Sequence, residues 1–176
     1  MPKLGEYPSS KALTALAAAN ITLIQVMANS ICFFSEEVNF TLPKPAKTIV
    51  WLQLVIKQEG YALEHLNFIF CSDRYLHEKN MERLKHDTLT DVLTFDYSDF
   101  PDVIEGDIYI SIDRVRENGI ELGHPFIDEL QTVMVHGVLH LLGYKDQTPE
   151  DKVLMRAKEA EYVEKRNRDF GVLEAE

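Results

Sequence analysis

The segment Val135-His-Gly-Val-Leu-His-Leu-Leu-Gly-Tyr-Lys-Asp146 combines a helical pattern with three potential metal ligands. His136 and His140 are four residues apart, so on an α-helix they lie on one face, one turn from each other. Gly143 follows where a left-handed residue commonly ends a helix. The chain can then turn back and bring Asp146 to the same point. The spacing therefore predicts a helix that carries a divalent metal site, completed by a carboxylate.

The same spacing occurs in metzincin proteases, but one part of that motif is missing here. Gly137 stands where those proteases have their catalytic glutamate. An alternative interpretation is that both histidines are ordinary core residues, since valines and leucines surround them. Burial of two ionisable rings in such surroundings costs free energy unless a partner compensates. The shared face, the helix terminator and the carboxylate together favour a metal site that lacks the general base of a protease.

Three other motifs accompany the histidine segment along the chain. They are Leu66-Asn-Phe-Ile-Phe-Cys71, Thr90-Asp-Val-Leu-Thr-Phe95 and Gly106-Asp-Ile108. Their order resembles the YbeY family of bacterial endoribonucleases, and the resemblance extends over about residues 27–166. It implies a metal-dependent hydrolase that cleaves single-stranded RNA in the maturation and quality control of ribosomal RNA. The implied partners are ribosomal RNA and the ribosome or its proteins.

Two positions depart from the family pattern. Most members end the histidine motif with Gly-Tyr-Asp-His, whereas this chain has Gly143-Tyr-Lys-Asp146, so Asp146 replaces the third histidine. Two nitrogens and one oxygen still suit one Zn²⁺ per chain, and the harder oxygen donor also admits Mn²⁺ or another divalent ion. Most members also carry an arginine before the Thr90 motif, where this chain has Leu84 beside Arg83. The catalytic residues are therefore less well defined than the metal ligands.

A base for hydrolysis has to come from another element, because Gly137 replaces the glutamate. The candidate catalytic residues are His86, Asp91 and Asp107. Each also has a structural interpretation. Asp91 can cap the start of a strand, and His86 can be solvated. Asp107 can hold a turn after Gly106.

Two further hypotheses compete with the nuclease. Loss of the family arginine favours a ribosome-assembly binding factor, in which the metal site is mainly structural. A metalloprotease is suggested by the histidine spacing alone, and Gly137 argues against it because the general base is absent.

Composition and charge agree with one domain. A chain of 176 residues, 45% of them hydrophobic, is long enough for one buried core and short for two domains. The net charge of −11 argues against a general nucleic-acid coat protein, but a nuclease needs only a local basic patch. One candidate patch, for which a solvated turn is the alternative, comprises Lys79, Arg83, Lys85 and His86. Cys32 and Cys71 are expected to be free thiols in a reducing cytosol.

The amino-terminal segment differs from the rest of the chain. Residues 12–34 contain no charged side chain, which is also a feature of membrane spans and signal peptides. Polar residues interrupt this stretch, and the family resemblance begins near Met27. We therefore expect residues 1–26 to be an extension that does not conform to the family, consistent with a start codon assigned too early. Residues 27–176 are expected to form one cytoplasmic domain without a membrane anchor.

The hydrophobic pattern predicts an α+β fold. A small mixed sheet of about four strands packs with helices, and the metal-binding helix lies in the core. Strands are predicted at residues 30–34, 66–70, 91–97 and 108–112, with a hairpin across residues 99–105. Helices are predicted at residues 46–58, 72–83 and 114–121, from Pro125 through the histidines, and from Pro149 onward. Ser72 and Thr148 are the predicted N-caps.

Overall fold

The structure, a computed structural model, describes residues 30–84 and 90–171. The expectation of an extension at residues 1–26 lies outside the described residues, as do Lys85 and His86. The described part of the chain contains four strands and five helices. In chain order they are β1 (Ile31–Glu36), α1 (Pro45–Gln58), β2 (Ala62–Cys71), α2 (Asp73–Leu84), β3 (Val92–Asp96), β4 (Val103–Ser111), α3 (Ile112–Leu122), α4 (Phe126–Leu141) and α5 (Pro149–Phe170).

The strands form one mixed sheet in the order β1-β2-β4-β3. β1 and β4 pair in parallel with β2, and β3 runs antiparallel to β4. The predicted α+β class and the four-stranded mixed sheet are therefore confirmed. β3 forms one edge of this sheet, and this position matters for the site described below.

Two strands are longer than the sequence pattern predicts. β2 begins at Ala62 and β4 at Val103, and their first residues pair with each other. Polar side chains such as Glu64 and Glu105 occupy this end of the pair. Gly106 and Asp107 are residue types that are common in turns, and the pairing shifts register between Leu63 and His65. The local pattern therefore does not indicate a strand there, and the prediction ended early.

The histidine-bearing helix α4 lies at the centre of the core. Val135, Val138 and Leu139 on this helix are fully buried. They pack in one hydrophobic cluster with Ile108 and Ile110 of β4. The helix thus rests on the antiparallel half of the sheet, beside the edge strand β3.

Gly137 allows α4 to approach the sheet closely. A Cβ atom at this position would lie 2.8 Å from Cγ2 of Ile108 and 3.4 Å from Cγ2 of Val92. Contacts of 2.8 Å are too short for a methyl group, so a larger side chain would push the helix off the sheet. Position 137 faces the core, so the side chain of the glutamate in the protease motif would not fit there without a shift of the helix.

The predicted helix caps are present. Ser72 Oγ accepts a hydrogen bond from the backbone N–H of Tyr75 at 3.1 Å. Thr148 and Asp151 form a reciprocal capping box at the start of α5. Among the helices in the described ranges, none is both long enough and apolar enough to cross a membrane.

Candidate metal centre

The three predicted ligands meet at the carboxyl end of α4. Nε2 of His136 and Nε2 of His140 are 2.9 Å apart. Oδ2 of Asp146 lies 3.9 Å from the first nitrogen and 3.7 Å from the second. Donors to one tetrahedral ion with bonds of about 2.0–2.1 Å lie roughly 3.3–3.4 Å apart. The three residues therefore fit a single divalent ion with only small adjustments.

A left-handed turn brings Asp146 to the histidines. Gly143 has a φ of 92°, a conformation that strains residues with a Cβ atom. Its N–H donates to the carbonyl of His140 at 3.0 Å, and the N–H of Tyr144 donates to the carbonyl of Leu139 at 3.0 Å. These two bonds form a Schellman motif, which ends the helix and reverses the chain. The predicted role of Gly143 is confirmed.

Hydrogen bonds to the other ring nitrogens orient both histidines. Nδ1 of His140 lies 3.0 Å from the carbonyl oxygen of Tyr144, which can only accept a hydrogen bond. Nδ1 of His136 lies 2.6 Å from Oε1 of Glu159 on α5. Both rings therefore carry a proton on Nδ1 and direct Nε2 toward the shared point. Two lone pairs at 2.9 Å repel each other unless a proton or a metal cation lies between them.

The two histidines have opposite tendencies to take up a proton. Burial alone would lower the pKa of His136, but the hydrogen bond and charge of Glu159, with Asp91 and Asp146 nearby, raise it above the ordinary value. Burial and the neighbouring His136 lower the pKa of His140. The pair is therefore suited to hold one positive charge, and a divalent cation can replace the shared proton.

The ligand cluster opens onto a cleft of about 460 Å³. Residues 90–94 of the β3 segment form one wall, and residues 143–146 form the other, with His136 and His140 at the base. Among the described residues, Lys145 is the one lysine or arginine in this lining. The ammonium group of Lys145 therefore shares this cleft with the three potential metal ligands.

Asp91 is the candidate base that the structure brings to this cleft. Its Oδ2 atom accepts a hydrogen bond from Nδ2 of Asn118 on α3 at 3.1 Å. The amide holds the carboxylate in place, and no other residue in the described ranges donates to it, so its second oxygen can accept a proton. The sequence-based proposal for Asp91 is therefore compatible with its position.

Asp107 lies elsewhere. Successive strand residues point to opposite faces of a sheet, and Ile108 faces α4, so Asp107 faces away from it. Its carboxylate accepts hydrogen bonds from Nδ2 of Asn67 at 2.8 Å and from the hydroxyl of Tyr97 at 3.1 Å. These contacts join β4 to β2 and to the residue that follows β3, and Asp107 is not part of the cleft lining. The third candidate, His86, is outside the described residues.

The predicted basic patch can be followed only in part. Lys79 lies 3.7 Å from Glu82 and stacks over the ring of Tyr75. The side chains of Arg83 and Leu84 fall outside the description, together with Lys85 and His86. The patch therefore remains a prediction.

Sequence reasoning missed Glu159 and Asn118. Each lies on a helix remote in sequence from the residue it holds. Glu159 had one detectable signal, because α5 buries Met155, Tyr162 and Arg166 along one stripe. Position 159 falls on that stripe at helical spacing, so its carboxylate points inward and requires a partner.

Comparisons with known proteins agree with the motif resemblance. A family model described as endoribonuclease YbeY matches residues 34–167. A protein named endoribonuclease YbeY from Amoebophilus asiaticus is 52% identical over 134 residues, 76% of this chain and 91% of that protein. Its namesake from Flavobacterium psychrophilum is 51% identical over 73% of this chain and 91% of its own length. The solution structure of a Thermotoga maritima protein is 30% identical, with a TM-score of 0.56 over 80% of this chain and 91% of that one.

Proposed function

This chain belongs to the YbeY family of endoribonucleases, and we propose from this premise that it hydrolyses single-stranded regions of ribosomal RNA with one bound divalent metal ion, Zn²⁺ in the first instance. The observation that carries the metal dependence is the arrangement of His136 and His140. Their Nε2 lone pairs face one point together with the Asp146 carboxylate, and both Nδ1 atoms are already hydrogen-bonded. Such a set is unfavourable without a cation.

The residues of the cleft account for the other requirements of phosphodiester hydrolysis. When bound, the metal ion would supply Lewis-acid chemistry, because it acidifies water and polarises a phosphoryl oxygen. Asp91, which lines the cleft, would accept the proton of the attacking water, and its hydrogen bond from Asn118 supports this role because it orients the carboxylate. Lys145 offers a positive charge to a phosphate in the same cleft. The water oxygen bonds to phosphorus, the bond to the departing ribose oxygen breaks, and that oxygen takes a proton from solvent.

The proposed setting is the cytoplasm, where the enzyme would act on ribosomal RNA, in association with the ribosome, during maturation and quality control. A ribosome-assembly factor with a mainly structural metal remains the second candidate function. The anchoring of both histidines to Glu159 and to the backbone of Tyr144 favours it, because structural metal sites are held in the same way.

Incubation of metal-loaded protein with unpaired RNA, with duplex RNA and with casein distinguishes these functions. We expect cleavage of the unpaired RNA alone, its loss with a chelator and its recovery when Zn²⁺ is added back. Asp91→Asn should slow cleavage by about 100-fold or more while metal binding is retained. Asp107→Asn, on the opposite face of the sheet, is the matched control and should retain activity. RNA binding without cleavage would indicate the assembly factor, and cleavage of casein would indicate a protease.

A further inference from the structure

The outer edge of β3 carries backbone groups that the sheet does not use. Ser111 donates its N–H to the carbonyl of Asp91 at 2.9 Å, and Tyr97 donates to the carbonyl of Glu105 at 2.8 Å. In an antiparallel pair, residues that exchange such bonds alternate with residues that do not. The odd-numbered residues from 91 to 97 therefore bond to β4. The even-numbered residues direct both N–H and C=O outward, away from the sheet.

This edge forms a wall of the candidate metal cleft. The five consecutive residues 90–94 all line the cleft. Because successive side chains point to opposite faces of the sheet, a cavity that touches all of them touches the strand along its edge. The carbonyl of Val92 already accepts a hydrogen bond from Oγ1 of Thr90 at 3.1 Å. Within the described ranges, the outward N–H and C=O of Thr94 have no such partner.

We propose that these two backbone groups of Thr94 bind the Watson–Crick edge of one unpaired base of the RNA substrate. The proposal rests on the proposed function and specifies how that site selects its substrate. Every base carries a hydrogen-bond acceptor next to a donor on this edge. The pairs are N1 and the N6 amino group in adenine, N3 and the N4 amino group in cytosine, O4 and N3–H in uracil, and O6 and N1–H in guanine.

Selection of single strands follows from this chemistry. In a duplex the Watson–Crick edges are occupied by the opposite strand, so a paired base has nothing to offer Thr94. In a loop or at an end the edge is free. All four bases present an adjacent donor and acceptor, so the contact selects an unpaired base without strong sequence preference.

An edge strand can also bind an extended peptide, which adds another strand to the sheet. That mode needs a ladder of several outward groups. Here the Val92 carbonyl is occupied, and Asp96, the next outward residue, is not part of the cleft lining. Lys145 across the cleft also suits a polyanion. These observations favour an RNA base over a peptide strand.

Fluorescence anisotropy with the metal-loaded protein and a nuclease-resistant phosphorothioate oligoadenylate tests the proposal. Thr94→Pro removes the outward N–H without a loss of ladder bonds, since proline is tolerated on edge strands where the N–H faces outward. Asp96→Pro is the matched control, because it removes the equivalent group outside the cleft. We expect five- to tenfold weaker binding for Thr94→Pro, and binding within twofold of wild type for Asp96→Pro.

A change in the RNA gives a test that needs no variant protein. In 1-deazaadenine a C–H replaces N1, the atom expected to accept from Thr94. An oligonucleotide that carries 1-deazaadenine in place of adenine should bind wild-type protein five- to tenfold more weakly than oligoadenylate. Thr94→Pro should not weaken the binding of this oligonucleotide further. Equal binding of the two oligonucleotides to wild-type protein would overturn the proposal, even if Thr94→Pro failed to fold. Displacement of oligoadenylate by an extended peptide would also overturn the proposal, because it would show that the β3 edge binds a peptide strand.

Failure of this proposal is distinguishable from failure of the proposed function. Cleavage of unpaired RNA, combined with no effect of 1-deazaadenine, leaves the nuclease intact and overturns the role of Thr94. Absence of both RNA binding and RNA cleavage by the metal-loaded protein overturns both.

Discussion

Glu159 and His136 are joined by a hydrogen bond of 2.6 Å, although 23 positions separate them along the chain. The carboxylate lies on α5 and the imidazole on α4, so the contact exists only because the two helices pack together. The Glu159 side chain is 14% exposed, so water weakens the interaction little. This contact fixes the ring so that its Nε2 atom faces the cleft.

Replacement of Glu159 by glutamine should weaken metal binding. Glutamine keeps a hydrogen-bond acceptor but loses the charge that makes the imidazole a better donor to the metal. Loss of such a partner commonly costs 10- to 100-fold in metal affinity, and we expect an effect in this range. Competition with a chromogenic Zn²⁺ chelator measures it. Glu164→Gln, an exposed change on the same helix, is the control, and equal affinities of the two variants would contradict the prediction.

Asp146 is predicted to be the third metal ligand. Asp146→Ala should reduce metal affinity far more than it reduces stability, and Asp146→His should retain binding with a shift toward softer metals. Asp146→Asn tests the alternative that this residue only holds a turn, because an amide can serve a turn but is a poor metal donor. If Asp146→Asn changed metal affinity less than about twofold, or ~0.4 kcal/mol, the third donor would have to be another residue.

Gly137→Ala should destabilise the fold, although alanine usually favours a helix. Alanine in place of glycine within a helix would by itself raise the free energy of unfolding by roughly 0.5–1 kcal/mol. Overpacking of the added methyl group against Ile108 lowers it by about 1–3 kcal/mol. Urea unfolding measures the balance. The added methyl group should cost less in an Ile108→Ala background, since the clashing atoms are then absent. Equal costs in the two backgrounds would show that position 137 is not in close contact with β4.

Glu59 should stabilise the fold in a pH-dependent manner. Burial alone would raise the pKa of Glu59, but hydrogen bonds from Lys158, Tyr162 and Tyr144 lower it below the ordinary value of 4.5 for a glutamate. The carboxylate therefore stabilises the folded state above that value, and this contribution is lost as pH falls through the lower, folded pKa. Urea unfolding is measured at pH 7 and at several values below about pH 4.5. The free energy of unfolding should fall less with acidification in Glu59→Gln than in wild type. Parallel losses in the two proteins would contradict the prediction.

The same contacts connect Glu59 to the metal centre. The hydroxyl of Tyr144 donates to Oε2 of Glu59 at 2.7 Å, and its carbonyl accepts from Nδ1 of His140 at 3.0 Å. Tyr144 therefore holds the turn that carries Asp146 through two hydrogen bonds, one from its side chain and one to its backbone carbonyl. A comparison of metal affinity between Glu59→Gln and wild type measures how much the contact between Tyr144 and Glu59 contributes to metal binding.

Lys145 is predicted to contact an RNA phosphate. Lys145→Gln should weaken RNA binding at low salt and reduce the slope of log affinity against log salt by about 0.7, the value for one phosphate of a single strand. Lys152→Gln, an exposed change on α5, is the matched control. An unchanged salt slope in Lys145→Gln would place the lysine outside the RNA path.

Local features of this protein were predictable from the sequence. The spacing of His136 and His140 and the left-handed turn at Gly143 depend on contacts within a few residues. The caps at Ser72 and Thr148 are local in the same way. Hydrophobic periodicity indicated the strands and helices along most of their length. It ended early in β2 and β4, where a register shift and turn-type residues interrupt the pattern.

Only the tertiary structure decided which distant residues complete the site. Asp91 directly precedes β3 and Asp107 lies within β4, yet Asp91 lines the cleft and Asp107 faces the opposite side of the sheet. Glu159 reaches His136, and the edge groups of Thr94 face the cleft, because of the order of the strands and the packing of α5 on α4. Periodicity reports which face of an element is apolar. It carries no information on which other element that face meets, since that pairing is set by the collective packing of the core.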